Sequence, residues 1–272
     1  MSKRTKKAEF AGSESELQSM TKEMDELHND VAAPSMWEGV SNMVDGMRGA
    51  TTRPSSRRTF LAGASAAMAG GAALMVVGST PGLAGAATRA ESRLHLADAA
   101  FPPAGLKGDL AVAAVAASLE NLAVFAYTAG LAAATAGKLG AVPPAIGTFA
   151  TTALSHHTQH AAAWNAVLKQ NGKAKVTVTN PTLTPTIQAN FAKVTDITGL
   201  AQLALSLESA AAATYQAETS MLKSTAAIGL SASIEPVEMQ HIAILYYVMG
   251  MYPGSQTTAG SPLAFSSTAA AA

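Results

Sequence analysis

The pattern of polar and apolar positions divides the chain into a polar head, an uncharged run of small residues, and a long alanine- and leucine-rich region of helical character. In the head, Leu17, Met20, Met24 and Leu27 recur at helical spacing inside the charged stretch SESELQSMTKEMDELHND, which predicts a short amphipathic helix. The basic KRTKKAEF before it and GMRGATTRPSS after it lack that period, so residues 1–56 read as a polar, partly disordered head and not an independent domain. From residue 105 to 252 the pattern predicts four helical stretches. They run over roughly 108–137, from Pro143–Pro144 to the NGK at 171–173, over 187–223 with a break near 195–199, and over 226–249 with Pro236 inside. The threonine- and proline-rich AKVTVTNPTLTPT between the second and third reads as an extended crossover. Residues 253–272 read as a low-complexity tail.

Composition narrows the class. Apolar residues make up 49% of the chain and aromatics only 5%, so alanine, leucine and valine carry the core and an all-α protein is expected. Eighteen basic and eighteen acidic residues cancel, which gives no sign of a nucleic-acid partner. With no cysteine, disulfides, thiolate metal sites and cysteine nucleophiles are excluded. There is no nucleotide-binding loop or serine–histidine motif.

Residues 57–86 resemble a twin-arginine (Tat) export signal. Arg57 and Arg58 precede Phe60 and Leu61, the run 61–78 is uncharged, and Ala84 to Ala86 give a small-residue cleavage pattern. Gly63, Gly70 and Gly71 weaken a permanent membrane span. The resemblance implies the Tat machinery as a partner and a periplasmic or envelope location, with cleavage near Ala86. A retained membrane anchor is the alternative, since the signal lies more than fifty residues into the chain.

The helical region repeats itself. SLENLAVFAYTAG in the first stretch matches SLESAAAATYQAE in the third, each with a tyrosine seven residues after the glutamate: Glu120 with Tyr127, Glu208 with Tyr215. Seven residues are nearly two turns, so each pair shares a face. The second stretch holds SHHTQH, with His157 and His160 at i, i+3, and the fourth holds Glu238 and His241 at the same spacing. Glu120 is the only charge between Leu110 and Gly137, and a lone buried carboxylate is costly unless paired or bound to a cation. Glu218 lies off the Glu208–Tyr215 face and reads as solvated. Met239, Met249 and Met251 read as packing.

These residues make the chain similar to the ferritin-like domain proteins over roughly 105–252, which implies a four-helix bundle with one long crossover connection. In the di-iron version of that bundle, two helices each give a glutamate and the other two each give a Glu-x-x-His pair. The resemblance assigns Glu120, Glu208, Glu238, His241 and His160 to a metal site, with His157 standing where a bridging glutamate is expected. Iron is implied as a di-iron or single-metal centre, with zinc or manganese as alternatives and no metal if the site is vestigial. His156 with His160, at i, i+4, is the second choice of ligand pair. Tyr127 and Tyr215 are expected at most to support the ligands. Three functions stay open: a metal-binding protein handling iron or oxidants, a metal-free structural or stress-protective bundle at the envelope, and an interaction protein whose head is the working part.

Overall fold

A computed structural model describes residues 13–49, 102–103 and 105–251, with side chains through Asn42 in the first segment. The twin-arginine stretch 57–86 and the tail 253–272 lie outside the described residues. Among those residues the fold is entirely helical. The head forms α1 (Glu14–Leu27), a π-helical turn (His28–Ala32) and α2 (Ala33–Gly49) in one continuous rod. The bundle follows as α3 (Asp109–Thr135), α4 (Pro144–Gln170), a short α5 (Thr184–Phe191), α6 (Ile197–Met221) and α7 (Thr225–Val248). The expected four helices and long crossover are present, with the break before α6 set by Asp196, whose side chain caps the Gly199 N–H at 2.8 Å.

Helices α3 and α4 form one hairpin, and α6 and α7 the other, as their connecting segments of a few residues require. Helix α3 alone among the described helices is long and apolar enough to cross a membrane, yet most of it is buried, as befits a core helix. Three asparagines lash the crossover to the bundle. Asn165 accepts from the Val176 N–H at 2.7 Å and donates back to the Val176 carbonyl at 3.0 Å. Asn121 donates to the Val176 and Val178 carbonyls, and Asn180 donates through its backbone and side chain to Ser118. Ile187 on α5 is then buried against Leu122 and Leu203.

The head departs most from the sequence reading. Of the head expected to be polar and partly disordered, residues 14–49 are helical and pack on α4 and α7, while residues 1–12 and 50–56 lie outside the described residues. The buried stripe runs Leu17, Thr21, Met24, His28, whereas Leu27, expected on it, is 45% exposed. Just past this stripe stands Pro34, which has no N–H to bond the carbonyl four residues earlier and whose ring crowds it, so the rod relaxes into the π turn there. Beyond it Met36 and Val40 are buried, and Gly39 lets α2 approach α7 closely: a Cβ at that position would lie 3.2 Å from the Leu230 backbone. The start of the rod is tied to α7 by Tyr247, whose hydroxyl accepts from the Ser13 N–H at 2.8 Å and donates to Glu16 at 2.7 Å.

Two large apolar clusters result besides the small one around Ile187. One contains Met36, Val40, Val112, Trp164, Leu168, Leu230 and Ile234, and the other Leu17, Met24, Ile146, Phe149, Leu245 and Val248. The rod contributes to both, α1 to one and α2 to the other. Met36→Ala is therefore expected to cost about 2–5 kcal/mol, as for other large-to-small core changes. Chemical denaturation of the full chain measures this, and an unchanged midpoint would show a head that does not pack on the bundle.

Candidate metal centre

Between the two apolar clusters lies a layer of ionisable side chains. Glu120 (α3), His157 and His160 (α4), Glu208 (α6), and Glu238 and His241 (α7) are all at most 3% exposed. The helical faces read from the sequence thus converge, and all six predicted site residues meet in one layer.

His157 sits in the middle. Its Nδ1 is 2.9 Å from Glu120 Oε2 and its Nε2 is 3.2 Å from Glu208 Oε1. His160 Nδ1 is 3.0 Å from Glu238 Oε1, and His241 Nδ1 is 3.2 Å from Glu208 Oε2 and 3.5 Å from Glu238 Oε2. The donors fall into two interlocked sets, Glu120–His157–His160–Glu238 and His157–Glu208–Glu238–His241, with the donor atoms in each within 4.8 Å of one another. His157 and Glu238 belong to both. Neither oxygen of Glu238 and neither nitrogen of His160 has a hydrogen bond of good geometry, although the ion-pair distance between them is short. That mismatch of distance and angle is what a site shaped for a cation would leave. Nitrogen and carboxylate donors suit iron, zinc and manganese, so the residues present fit a transition metal.

The tyrosines orient the carboxylates, and they do so crosswise. Tyr127 on α3 donates to Glu208 on α6, and Tyr215 on α6 donates to Glu120 on α3. Trp164 Nε1 in turn donates to the Tyr215 hydroxyl at 3.0 Å. Burial, and then the adjacent carboxylates, push both phenols well above their ordinary range, so they remain neutral donors.

Electrostatics explain how so many charges are tolerated. Burial alone would raise Glu120, but His160 and His157 outweigh it and hold the carboxyl down at about 2. Glu208 is likewise held well below the usual range, against its burial, by His157 and His241. Burial would lower the histidines, yet Glu208 and Glu238 lift His157 well above its ordinary value and His241 to about 9. His160 is raised mainly by Glu120, again against burial. The layer is held together by mutual ion pairing.

His156 is not a member of either donor set. It lies on the outer side of His241, with its Nδ1 3.1 Å from His241 Nε2 and its Nε2 3.1 Å from Asp25 Oδ1 on α1. His28, from the π turn, stacks on it at a ring-centroid distance of 3.9 Å. The sequence reading missed both head residues, although the period Leu17–Thr21–Met24–His28 does carry His28 inward. Glu218 is a second correction. It is 3% exposed and not solvated, neither oxygen has a hydrogen-bond partner, and it borders a cavity of about 20 Å³ shared with Glu120, His157 and Tyr215. It shares an inward face with Tyr215 and Leu222, both buried, although its neighbours Ala217 and Ser220 are exposed.

Residues 108–251 match the family model described as a ferritin-like domain, which is more than half of the chain. No curated protein and no solved structure matches it.

Burial, and then the charge of Glu120, raise the Glu218 carboxyl well above its ordinary value. A carboxyl whose folded pKa is raised holds its proton more tightly in the fold. Its contribution is therefore favourable below the unfolded value near 4.5 and is lost as pH rises above it. Glu218→Gln, neutral at every pH, removes the cost of ionising this buried group, so it is expected to melt higher than wild type at pH 7–8 and to match it near pH 4. Melting temperatures of the two forms across that range test it.

Proposed function

The chain belongs to the ferritin-like family, and on that footing we propose that its buried layer binds a transition metal, iron before zinc or manganese, in an exported protein that handles iron or oxidants. The observation that carries this reading is the meeting of three glutamates and three histidines from four helices in two interlocked donor sets. Glu120, His160, Glu208 and His241 would each serve one set, and His157 and Glu238 both. A bound metal would supply Lewis-acid and one-electron chemistry. The chain's own residues prepare for it: Tyr127 and Tyr215 hold one oxygen of Glu208 and of Glu120, and the apolar clusters on either side keep bulk water out.

His157 sets the capacity. Two ferrous ions bring four positive charges against three carboxylates, whereas one ion leaves the layer slightly anionic. This favours a single ion per chain. His157→Glu supplies the missing carboxylate. Anaerobic ferrous titration is expected to rise from about one ion per chain toward about two, the occupancy of a di-iron bundle. Because the three histidines hold protons that a metal must displace, uptake should release protons. Affinity should climb as pH rises through neutrality toward about 9, where His241 deprotonates.

A metal-free layer is the second reading, and one observation favours it: both nitrogens of His157 already face carboxylate oxygens, so a protonated ring bridges Glu120 and Glu208 unaided. Melting with and without ferrous iron separates the two readings. On this second reading iron leaves the wild-type melting temperature unchanged, and His157→Glu is destabilised by about 1–3 kcal/mol without rescue.

Export is supported by the pattern Arg57–Arg58, Phe60–Leu61 and the uncharged run after it. Changing both arginines to lysine should hold the precursor in the cytoplasm, as fractionation would show. A double variant that reaches the envelope as efficiently as wild type would remove the Tat reading.

A further inference from the structure

The family match ends at residues 108–251, yet the polar layer continues past it into the head. We propose that Asp25, on α1, is a positioning residue for the metal ligand His241, acting through His156. This inference rests on the metal reading of the centre and concerns an element that the bundle alone lacks.

The tautomers follow from the contacts. His241 turns Nδ1 toward Glu208 and Glu238, the side on which the donor set lies, so its lone pair there is the one available to a metal. Its Nε2 must then carry a hydrogen, and the atom facing it at 3.1 Å is His156 Nδ1. His156 therefore accepts at Nδ1 and carries its own hydrogen on Nε2. That hydrogen points at Asp25 Oδ1, 3.1 Å away. The chain His241 Nε2–H to His156 Nδ1, then His156 Nε2–H to Asp25 Oδ1, has a single consistent assignment. A metal-bound histidine commonly donates its second N–H to an acceptor that fixes its tautomer and ring orientation. Here the immediate acceptor is a neutral histidine, and the carboxylate that polarises it comes from a different segment of the chain.

The surroundings hold the relay in place. The His156 ring is fully buried, stacked under His28 at 3.9 Å and 25°, and nearly parallel to His241. Asp25 has a side chain 48% exposed, so it can be changed without opening the core. The π turn is what sets His28 level with this layer, between the apolar contacts of α1 and those of α2.

The full-length chain tests the proposal in three forms: wild type, Asp25→Asn and Asp25→Leu. Asparagine keeps an oxygen that can accept from His156, and leucine does not. Ferrous affinity is measured by anaerobic titration, and the imidazole N–H signals of His156 and His241 by nitrogen-15 NMR. Asp25→Leu is expected to bind ferrous iron about 10–100-fold more weakly, as for loss of other outer partners of metal ligands, with Asp25→Asn within about threefold of wild type. The His156 Nε2–H signal should be protected from water in wild type and Asp25→Asn and lost in Asp25→Leu. Equal affinity in wild type and Asp25→Leu overturns the proposal. So does an equal loss in both variants, which would assign the effect to charge. If wild type takes up no iron, the metal reading itself fails. The NMR arm then still decides the positioning chain, because a His156 proton on Nδ1 would break it and a protected Nε2–H would uphold it.

Discussion

The fold is arranged around the cost of placing three carboxylates and three imidazoles in one fully buried layer. A single such charge in an alanine-rich interior would destabilise the protein by several kcal/mol. Together they neutralise one another, and the consequence spreads outward. Each helix must present its ionisable residue at one height, so the register of all four bundle helices is fixed by the layer. The two apolar clusters above and below then need only fill space. They do so largely with alanine, valine, leucine and isoleucine around a few aromatics such as Trp164 and Phe149. The polar edge of Trp164 is spent on Tyr215 and, through it, on Glu120.

The crosswise tyrosines show how duplication stabilises such a layer. In each half a Ser-Leu-Glu is followed two turns later by tyrosine, and the tyrosine serves the glutamate of the other half. Neither half can satisfy its own carboxylate in this way. The repeat visible in the sequence is thus an obligation between the halves, and it orients α3 against α6 more specifically than alanine packing could.

The bundle was legible because its signals are sparse and ordered. Glu120 stands alone in a long uncharged helix, and Glu238 and His241 share a face by spacing alone. The choice of His157 over His156 could be made from the family pattern, but the job of His156 could not be read, since its partners lie 85 and 131 positions away. The head was misread for a physical reason. Its buried stripe is interrupted by threonine and histidine, and a π turn shifts the period just where Pro34 breaks it. A search for regular spacing then stops short of Met36 and Val40. Glu218 was misread because ten residues along a helix do fall off the Glu208 face, but that second face is also covered here.

The rod of residues 14–49 completes the bundle, but the chain reaches the bundle only after residues 50–104. While the polypeptide is intact, the rod is held at a high effective concentration next to its groove, and docking is an intramolecular event. A single cut in the intervening stretch, such as export processing would make, turns the same contacts into an association between two molecules. The rod's retention would then depend on dilution and on its own rate of departure. Loss of the rod would uncover the His156 side of the layer with no change to the bundle itself.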